Sequence, residues 1–470
     1  MTEEFMNDRR MKIIAVLSLF NFVFLGTEYL FDNMMTYVVN AKEVVIVQSY
    51  ILGASVIGYL LFPVFYRLVT VSMKYMMVFA GSVVSIICIF VIQQHASYES
   101  ILTAGCIVFI LLGIAGSGAH YLAMRGLEND KSLAKTVGAA YAVGLLFQFL
   151  NNNLVDNDMV ESIVLSVFLT ILVILLVIIG REMRLEKEVQ MEQGIEKKNE
   201  LCLKHPLVTG GILLISVVLM TCIFSTLDNV VTLFHANGSM DIGQWPRLLL
   251  ALSGLTAGVL FDMKERQYMN IIMYCVTLLS TICVLVIVSG GPFLIGLIVF
   301  YLSAGFFVVF FTTGFMDLSK YMKIPELWAG IGRAVNNICA GIMATVSLAL
   351  LETENTILLS IMALILFVAI SVTMFLYANQ FRTNISTEEK TTEEKEEKFV
   401  RFSEVFSLTT REQEVLKFLL VSDDSVQDIA DQLFISRAAL YRHITALNEK
   451  TVTKSRIGLL QFYYAWKEKN

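Results

Sequence analysis

Twelve apolar runs follow one another along the first four-fifths of the chain, and then the pattern stops. A helix that crosses a bilayer needs about 20 predominantly apolar residues. The runs fall at roughly 13–37, 44–66, 75–98, 100–124, 134–155, 160–180, 207–234, 244–261, 269–289, 293–316, 327–351 and 355–379, the eighth being the shortest. The sixth and seventh are separated by the charged stretch from Arg181 to His205, which divides residues 1–381 into two six-helix halves, about 1–180 and 207–381. Thr387 to Lys398 then contains only Thr, Glu and Lys. Such a segment cannot bury a core, so a charged linker over 382–403, a mobile tether with helical tendency, is expected. From 404 to 470 apolar residues return at helical spacing in a polar background. The pattern predicts an all-α chain: a twelve-helix membrane bundle followed by a small soluble domain.

Within that last stretch the start signals are specific. Thr409 or Thr410 offers a capping hydroxyl with Glu412 in the first turn, and Val415, Leu416, Leu419 and Leu420 recur on one face. Asp424 or Ser425 opens a second helix reaching Leu433, with Ile429, Ala430 and Leu433 inward. Phe434-Ile435 forms a turn, and Ser436 caps a third helix whose Leu440, Ile444 and Leu447 face the core. Helix, short turn and capped second helix is the geometry that places one helix in the major groove of DNA.

Composition agrees with the membrane assignment. The chain is 56% hydrophobic and 16% charged, against ~45–50% and ~25% for soluble domains. Its charges are sided. One alternate set of loops carries Arg9, Arg10, Lys12, Arg67, Lys74, Arg125, Lys131, Lys135, the basic residues of Arg181–His205, Lys264, Arg266, Lys320 and Lys323; the other carries only Lys42 and Arg247. Basic loops stay cytoplasmic, so both termini are expected in the cytoplasm. The N-terminus lacks the small-residue cleavage site of a secretory signal. The seven cysteines form no C-x-x-C pair, and all but Cys202 lie in apolar runs; neither a metal site, a disulfide framework, a cofactor nor a catalytic constellation is expected.

The chain also repeats itself. Asp32-Asn33-Met34-Met35-Thr36 returns 196 residues later as Asp228-Asn229-Val230-Val231-Thr232, and Gly138-x-x-x-Ala142-Val143 is echoed by Gly330-x-x-x-Ala334-Val335. Together with Gly258-Val259-Leu260-Phe261-Asp262-Met263-Lys264-Glu265-Arg266 after the eighth run, two six-helix halves resemble the major facilitator superfamily over residues 1 to about 381. The first half keeps only Gly58 and Arg67 of the loop motif, with Pro63 intruding. The resemblance implies that segments 1, 4, 7 and 10 line a central cavity. Glu28 and Asp32, four apart, share a helix face, and ionisable groups within a span face protein or water. Glu28, Asp32, Asn33, His120, Asp228 and Asn229 are therefore candidate contacts for an unknown small-molecule ligand, cationic or hydroxyl-rich. Helix capping near the interface is the competing account of these residues. Arg333, Asn336 and Asn337 form a second polar strip, with Arg333 expected to pair with Asp317. The run Gly113-x-x-Gly116-x-Gly118 is expected to pack closely against neighbouring helices.

The order Leu408-Thr409-x-Arg411-Glu412-x-Glu414-Val415-Leu416, Ile429-Ala430-x-x-Leu433-x-Ile435-Ser436, His443, Lys450 and Ser455-Arg456 resembles the LuxR-type helix-turn-helix family over about 404–467. That resemblance implies fold-holding roles for Glu414 and Arg456. It puts Tyr441, Arg442 and Thr445 toward DNA with Ser436 and Arg437 near phosphate, and Lys450 belongs to the same basic DNA-binding face. Ala439-Leu440-Tyr441 stands where relatives carry Thr-Val-Lys, and the glycine that follows the Lys450 position in relatives is replaced near Val452. Ten basic and nine acidic residues over 401–470 leave the domain almost neutral, so pairing as a homodimer on double-stranded DNA is expected, because affinity scales with the phosphates neutralised. The combination resembles membrane-bound LuxR-type regulators of the bacterial inner membrane. It implies a one-component transcription regulator and not an enzyme, the alternatives being a secondary transporter with a regulatory domain or a membrane scaffold that binds only protein.

Overall fold

The computed structural model describes residues 3–94, 97–127, 130–155, 157–192, 205–238, 241, 244–352, 356–421, 426–433 and 435–466. The chain divides into two compact units, residues 1–380 and 381–470.

The first unit is all-helical. Its first half contains α1 (Glu3–Thr36), α2 (Ala41–Leu68), α3 (Val71–Gln93), α4 (Tyr98–Gly126), α5 (Leu133–Leu154) and α6 (Asp158–Glu192). The second contains α7 (Pro206–Ala236), α8 (Trp245–Phe261), α9 (Met269–Val288), α10 (Phe293–Ser319), α11 (Pro325–Glu352) and the first part of α12 (Thr356–Val405). Eleven of these are long and apolar enough to span a membrane, and the chain is a multi-pass membrane protein. The eighth run is the exception to the expected twelve. It forms an apolar helix of 17 residues, about 25 Å long against a hydrocarbon core of about 30 Å. The membrane-facing character of α3, α6 and α12 is plain from burial: only 22%, 28% and 17% of their most apolar windows are covered by protein, against 67% for α1.

The halves meet where α2 packs on α11 and α5 packs on α8. Small residues make the second contact. A Cβ on Gly138 would lie 2.4 Å from the Gly254 carbonyl oxygen and 2.9 Å from the Gly258 Cα, so the two backbones touch. Gly113 does the same within the first half, where a Cβ would meet the Ser55 carbonyl oxygen at 2.1 Å. Polar contacts lock one end of this junction. Asp262, just after α8, accepts from the backbone N–H groups of Ala134 (3.1 Å) and Lys135 (2.7 Å). It thereby caps the first turn of α5, which Ser132 does not. Lys264, Glu265 and Arg266 follow with φ of 44°, 56° and 69°. This left-handed run turns the Arg266 guanidinium back toward Asp262 (3.4 Å) and Asp317 (3.2 Å), while Lys131 pairs with Glu265. At the α2–α11 junction Arg67 pairs with Glu326 at 2.8 Å.

The second unit is built from the end of α12, α13 (Thr410–Val421), α14 (Val426–Gln432), α15 (Arg437–Thr451) and α16 (Arg456–Ala465). Its core contains Val415, Leu416, Leu419, Ile429, Ala430, Leu433, Leu440, Ile444 and Leu447, as the helical spacing predicts, together with Leu459 and Tyr463. It also contains Phe399 and Phe402, so the soluble core begins inside the stretch expected to be linker. Phe402 is fully buried and meets Phe406, Phe462, Tyr463 and Trp466 with ring centroids 4.6–6.2 Å apart. The expected tether lies within α12. The capping role given to Asp424 or Ser425, and Phe434 of the turn, lie outside the described residues. The six described cysteines are unbonded; Cys202 lies outside them.

Candidate functional site

A polar cavity of about 160 Å³ lies inside the membrane unit between its two halves. Glu28, Asp32 and Asp228 line it, which brings together the two repeat aspartates and the glutamate four residues before the first of them. Gln48 of α2 holds two of them: its amide nitrogen donates to Glu28 Oε1 and to Asp32 Oδ2, both at 2.9 Å. Asp32 is only 2% exposed and its second oxygen has no hydrogen-bond partner among the described residues. Asp228 is open to the cavity.

Three other expected residues point elsewhere. Asn33 Oδ1 faces His235 Nε2 at 3.0 Å, and Asn229 donates to Ser347 Oγ at 2.8 Å. Consecutive helix residues are turned about 100° apart, so the neighbours of Asp32 and Asp228 cannot share their direction. His120 is buried, its Nδ1 2.6 Å from the Gly116 carbonyl oxygen and its ring edge-on to Phe20 and Tyr59. It is a packed core histidine, and none of the three lines the cavity.

Two arginines enter the cavity that the sequence placed elsewhere. Arg247, counted with the outer loops, lies in the first turn of α8 and lines the cavity. Arg333 is not paired with Asp317, whose carboxylate is taken by Arg266 and by Lys320 at 2.9 Å. Its guanidinium instead sits over the Phe24 ring, 5.5 Å from the centroid, and the residue is only 7% exposed. Arg247 Nε and Arg333 Nη2 both lack hydrogen-bond partners among the described residues. Phe224 and Phe307, stacked at 4.6 Å, supply an apolar wall.

In the C-terminal unit the start of α13 is a reciprocal capping box. The Thr409 N–H donates to Glu412 Oε2 at 2.8 Å, and the Glu412 N–H donates to Thr409 Oγ1 at 3.4 Å. Ser436 caps α15, accepting from the Ala439 N–H at 3.2 Å. With Leu440, Ile444 and Leu447 turned inward, Arg437, Tyr441, Arg442 and Thr445 lie exposed on the opposite face. Arg437 lies over the Tyr441 ring at 5.7 Å. The outcome is a short helix, a turn and a second helix that shows one basic, aromatic and hydroxyl-bearing face to solvent.

The family of bacterial regulatory proteins of the luxR type matches residues 406–463. The C-terminal unit carries a LuxR-type helix-turn-helix domain. Searched against curated proteins, the chain gives no match. Among solved structures the membrane unit resembles the proton:xylose symporter XylE of the major facilitator superfamily (TM-score 0.56, 14% identity, covering 80% of this chain and 97% of that one). It also resembles a POT family transporter in complex with a thioalcohol-conjugated peptide (TM-score 0.55, 12% identity, 78% and 96%). A third is the human organic anion transporter MFSD10 (TM-score 0.52, 12% identity, 81% and 100%). At these identities the likeness is one of fold: the membrane unit is facilitator-like.

Two residues of the LuxR-type domain change meaning once seen in place. Lys450, expected on the DNA-binding face, donates to Glu412 Oε2 at 2.6 Å and to the Ser407 carbonyl at 2.8 Å. The fold itself uses its charge. Burial raises the Glu412 carboxyl, but the hydrogen bonds from Lys450 and Thr409 outweigh it and hold the group below the usual glutamate range. Val452 stands at φ 55°, ψ 38°, closing α15 in a left-handed conformation. This is the position near which relatives have glycine, and a β-branched residue there is strained. Glu414 pairs with Arg411, whose guanidinium also donates to the Leu433 carbonyl at 2.9 Å, tying α13 to the end of α14.

Proposed function

We propose that this chain is a membrane-embedded, one-component transcription regulator. Its facilitator-like unit senses a small molecule in the central cavity, and its LuxR-type domain reads DNA. The observation that carries the proposal is the union in one chain of a DNA-reading domain and a transport-type fold with a polar internal cavity. On this reading the protein lies in the bacterial inner membrane with both termini in the cytoplasm, an orientation that the sided loop charges support. Ser436, Arg437, Tyr441, Arg442 and Thr445 contact DNA, and two LuxR-type domains pair on adjacent half-sites to offset the weak net charge of one. Helix α12, which contributes to the cores of both units, carries the signal. A ligand shifts the DNA-binding state only by binding two states of the membrane unit unequally.

The test is occupancy of promoters in cells, mapped for the full chain and for Arg442→Ala, alongside the transcripts that change on deletion. Enriched sites lost in the variant support the reading; no enriched site removes it. A second reading, a secondary transporter with a regulatory domain, is favoured by the three carboxylates in the cavity. Uptake into proteoliposomes driven by a pH gradient would establish that reading over a pure sensor.

A further inference from the structure

We infer that the central cavity is built for a zwitterion of amino-acid size, carrying both a carboxylate and an ammonium group; this rests on the small-molecule reading above and narrows it. The cavity collects charges of both signs, Glu28, Asp32 and Asp228 against Arg247 and Arg333. Opposite charges brought inside a protein ordinarily find one another. Here the matching is incomplete: Asp32 Oδ1, Arg247 Nε and Arg333 Nη2 are all buried without a hydrogen-bond partner among the described residues. Gln48 bonds to Glu28 and Asp32, while Arg247 Nε and Arg333 Nη2 have no such partner among the described residues. A buried polar group left unmet is unfavourable unless something supplies its partner.

The chemistry of the missing partner follows. The Arg333 guanidinium lies over Phe24, and its unpartnered Nη2 can donate to an anion such as a carboxylate. Asp228, open to the cavity, and the free oxygen of Asp32 call for a donor, and an ammonium group carries three. A simple cation would leave the arginines unmet, a simple anion would leave the carboxylates unmet, and a polyol would neutralise neither. Size limits the rest. A cavity of about 150 Å³ holds a benzene molecule, so the 160 Å³ found here takes a compact ligand. The Phe224–Phe307 wall suits an apolar side chain on it.

The experiment uses the purified full chain in lipid nanodiscs. Thermal unfolding and calorimetry are followed with the common amino acids, and for each that binds, with its amide, its N-acetyl derivative and inositol. The expected result is at least one amino acid that raises the unfolding temperature and binds about tenfold or more tightly than either blocked form, as a site built around both polar groups would discriminate. Arg333→Gln should erase the preference over the amide, and Asp228→Asn the preference over the N-acetyl form. An amide, N-acetyl derivative or inositol that binds as tightly as the parent overturns the inference, as does the absence of binding by any amino acid. Should Arg333→Gln fail to fold, the blocked-ligand series on the native chain makes the same decision. Binding without any change in transcription would leave this inference standing and remove the sensing reading. A transcriptional response confined to another ligand class would do the reverse.

Discussion

The two units treat their polar side chains in opposite ways. In the LuxR-type domain charged side chains are engaged by the fold: Glu412 is capped to Thr409 and paired with Lys450, and the more exposed Arg411 is tied to Glu414 and the Leu433 carbonyl. What remains exposed on α15 is its outer face. In the membrane unit the cavity keeps charged atoms buried and unmatched. The contrast teaches where each unit keeps its capacity to bind. A DNA reader places it on a surface that water satisfies until DNA arrives, while a cavity in a membrane protein has only its ligand and trapped water to satisfy it.

The largest expected effect tests the first side of that contrast. Lys450→Met should destabilise the LuxR-type domain by about 3 kcal/mol, the low end for breaking a buried pair, because the lysine keeps 32% of its side-chain exposure. Faster hydrogen exchange in α13 and α15 of the full chain would report it. A loss of DNA affinity with no change in exchange would return Lys450 to the DNA face. Acidity gives the sign independently. The Glu412 carboxyl is held below its ordinary value, so its stabilisation is complete above the unfolded value of ~4.3 and fades as the pH falls through the lower, folded one. Glu412→Gln should therefore lose its stability deficit in acid.

Next comes Arg442→Ala, expected to reduce discrimination between cognate and random DNA by about 2 kcal/mol, the range for a base-contacting arginine. Competition binding at fixed salt measures it, with unchanged unfolding as the control. Val452→Gly should stabilise α15 by about 1 kcal/mol by relieving the left-handed strain, seen as a slower exchange rate around Thr451 to Thr453. The smallest effect is the one that most sharpens the comparison. Arg333→Met should alter the unfolding free energy of the ligand-free membrane unit by less than about 1 kcal/mol, because a buried charge whose Nη2 has no partner among the described residues gives way to an apolar side chain. A loss as large as that of Lys450→Met would mean that the arginine is structural.

How much could be seen beforehand follows the same division. The caps at Thr409 and Ser436 and the inward faces of α13–α15 depend on residues three and four apart, and local spacing reveals them. The Lys450–Glu412 pair joins residues 38 apart, and no local pattern announces it. Phe399, Phe402 and Phe406 do carry a helical spacing, but the run of Glu and Lys before them hides it. In the membrane unit the repeat picked out Asp32 and Asp228, which line the cavity. It also drew in Asn33 and Asn229, because adjacency in sequence is not adjacency on a helix. Arg247 was beyond reach for a different reason: hydropathy registers a charge at the start of a short helix as part of a loop. Gln48 and Arg333 join the cavity only through the packing of α2 and α11 against one another.

The bond from Asp262 to the first turn of α5 has one more consequence. Parting the two halves at that end would uncap a helix, and the amide hydrogens of Ala134 and Lys135 would then be released to solvent in the same event. Those two positions are in effect a clock inside the membrane unit. Their rate of isotope uptake counts openings one by one, in a chain given neither ligand nor DNA.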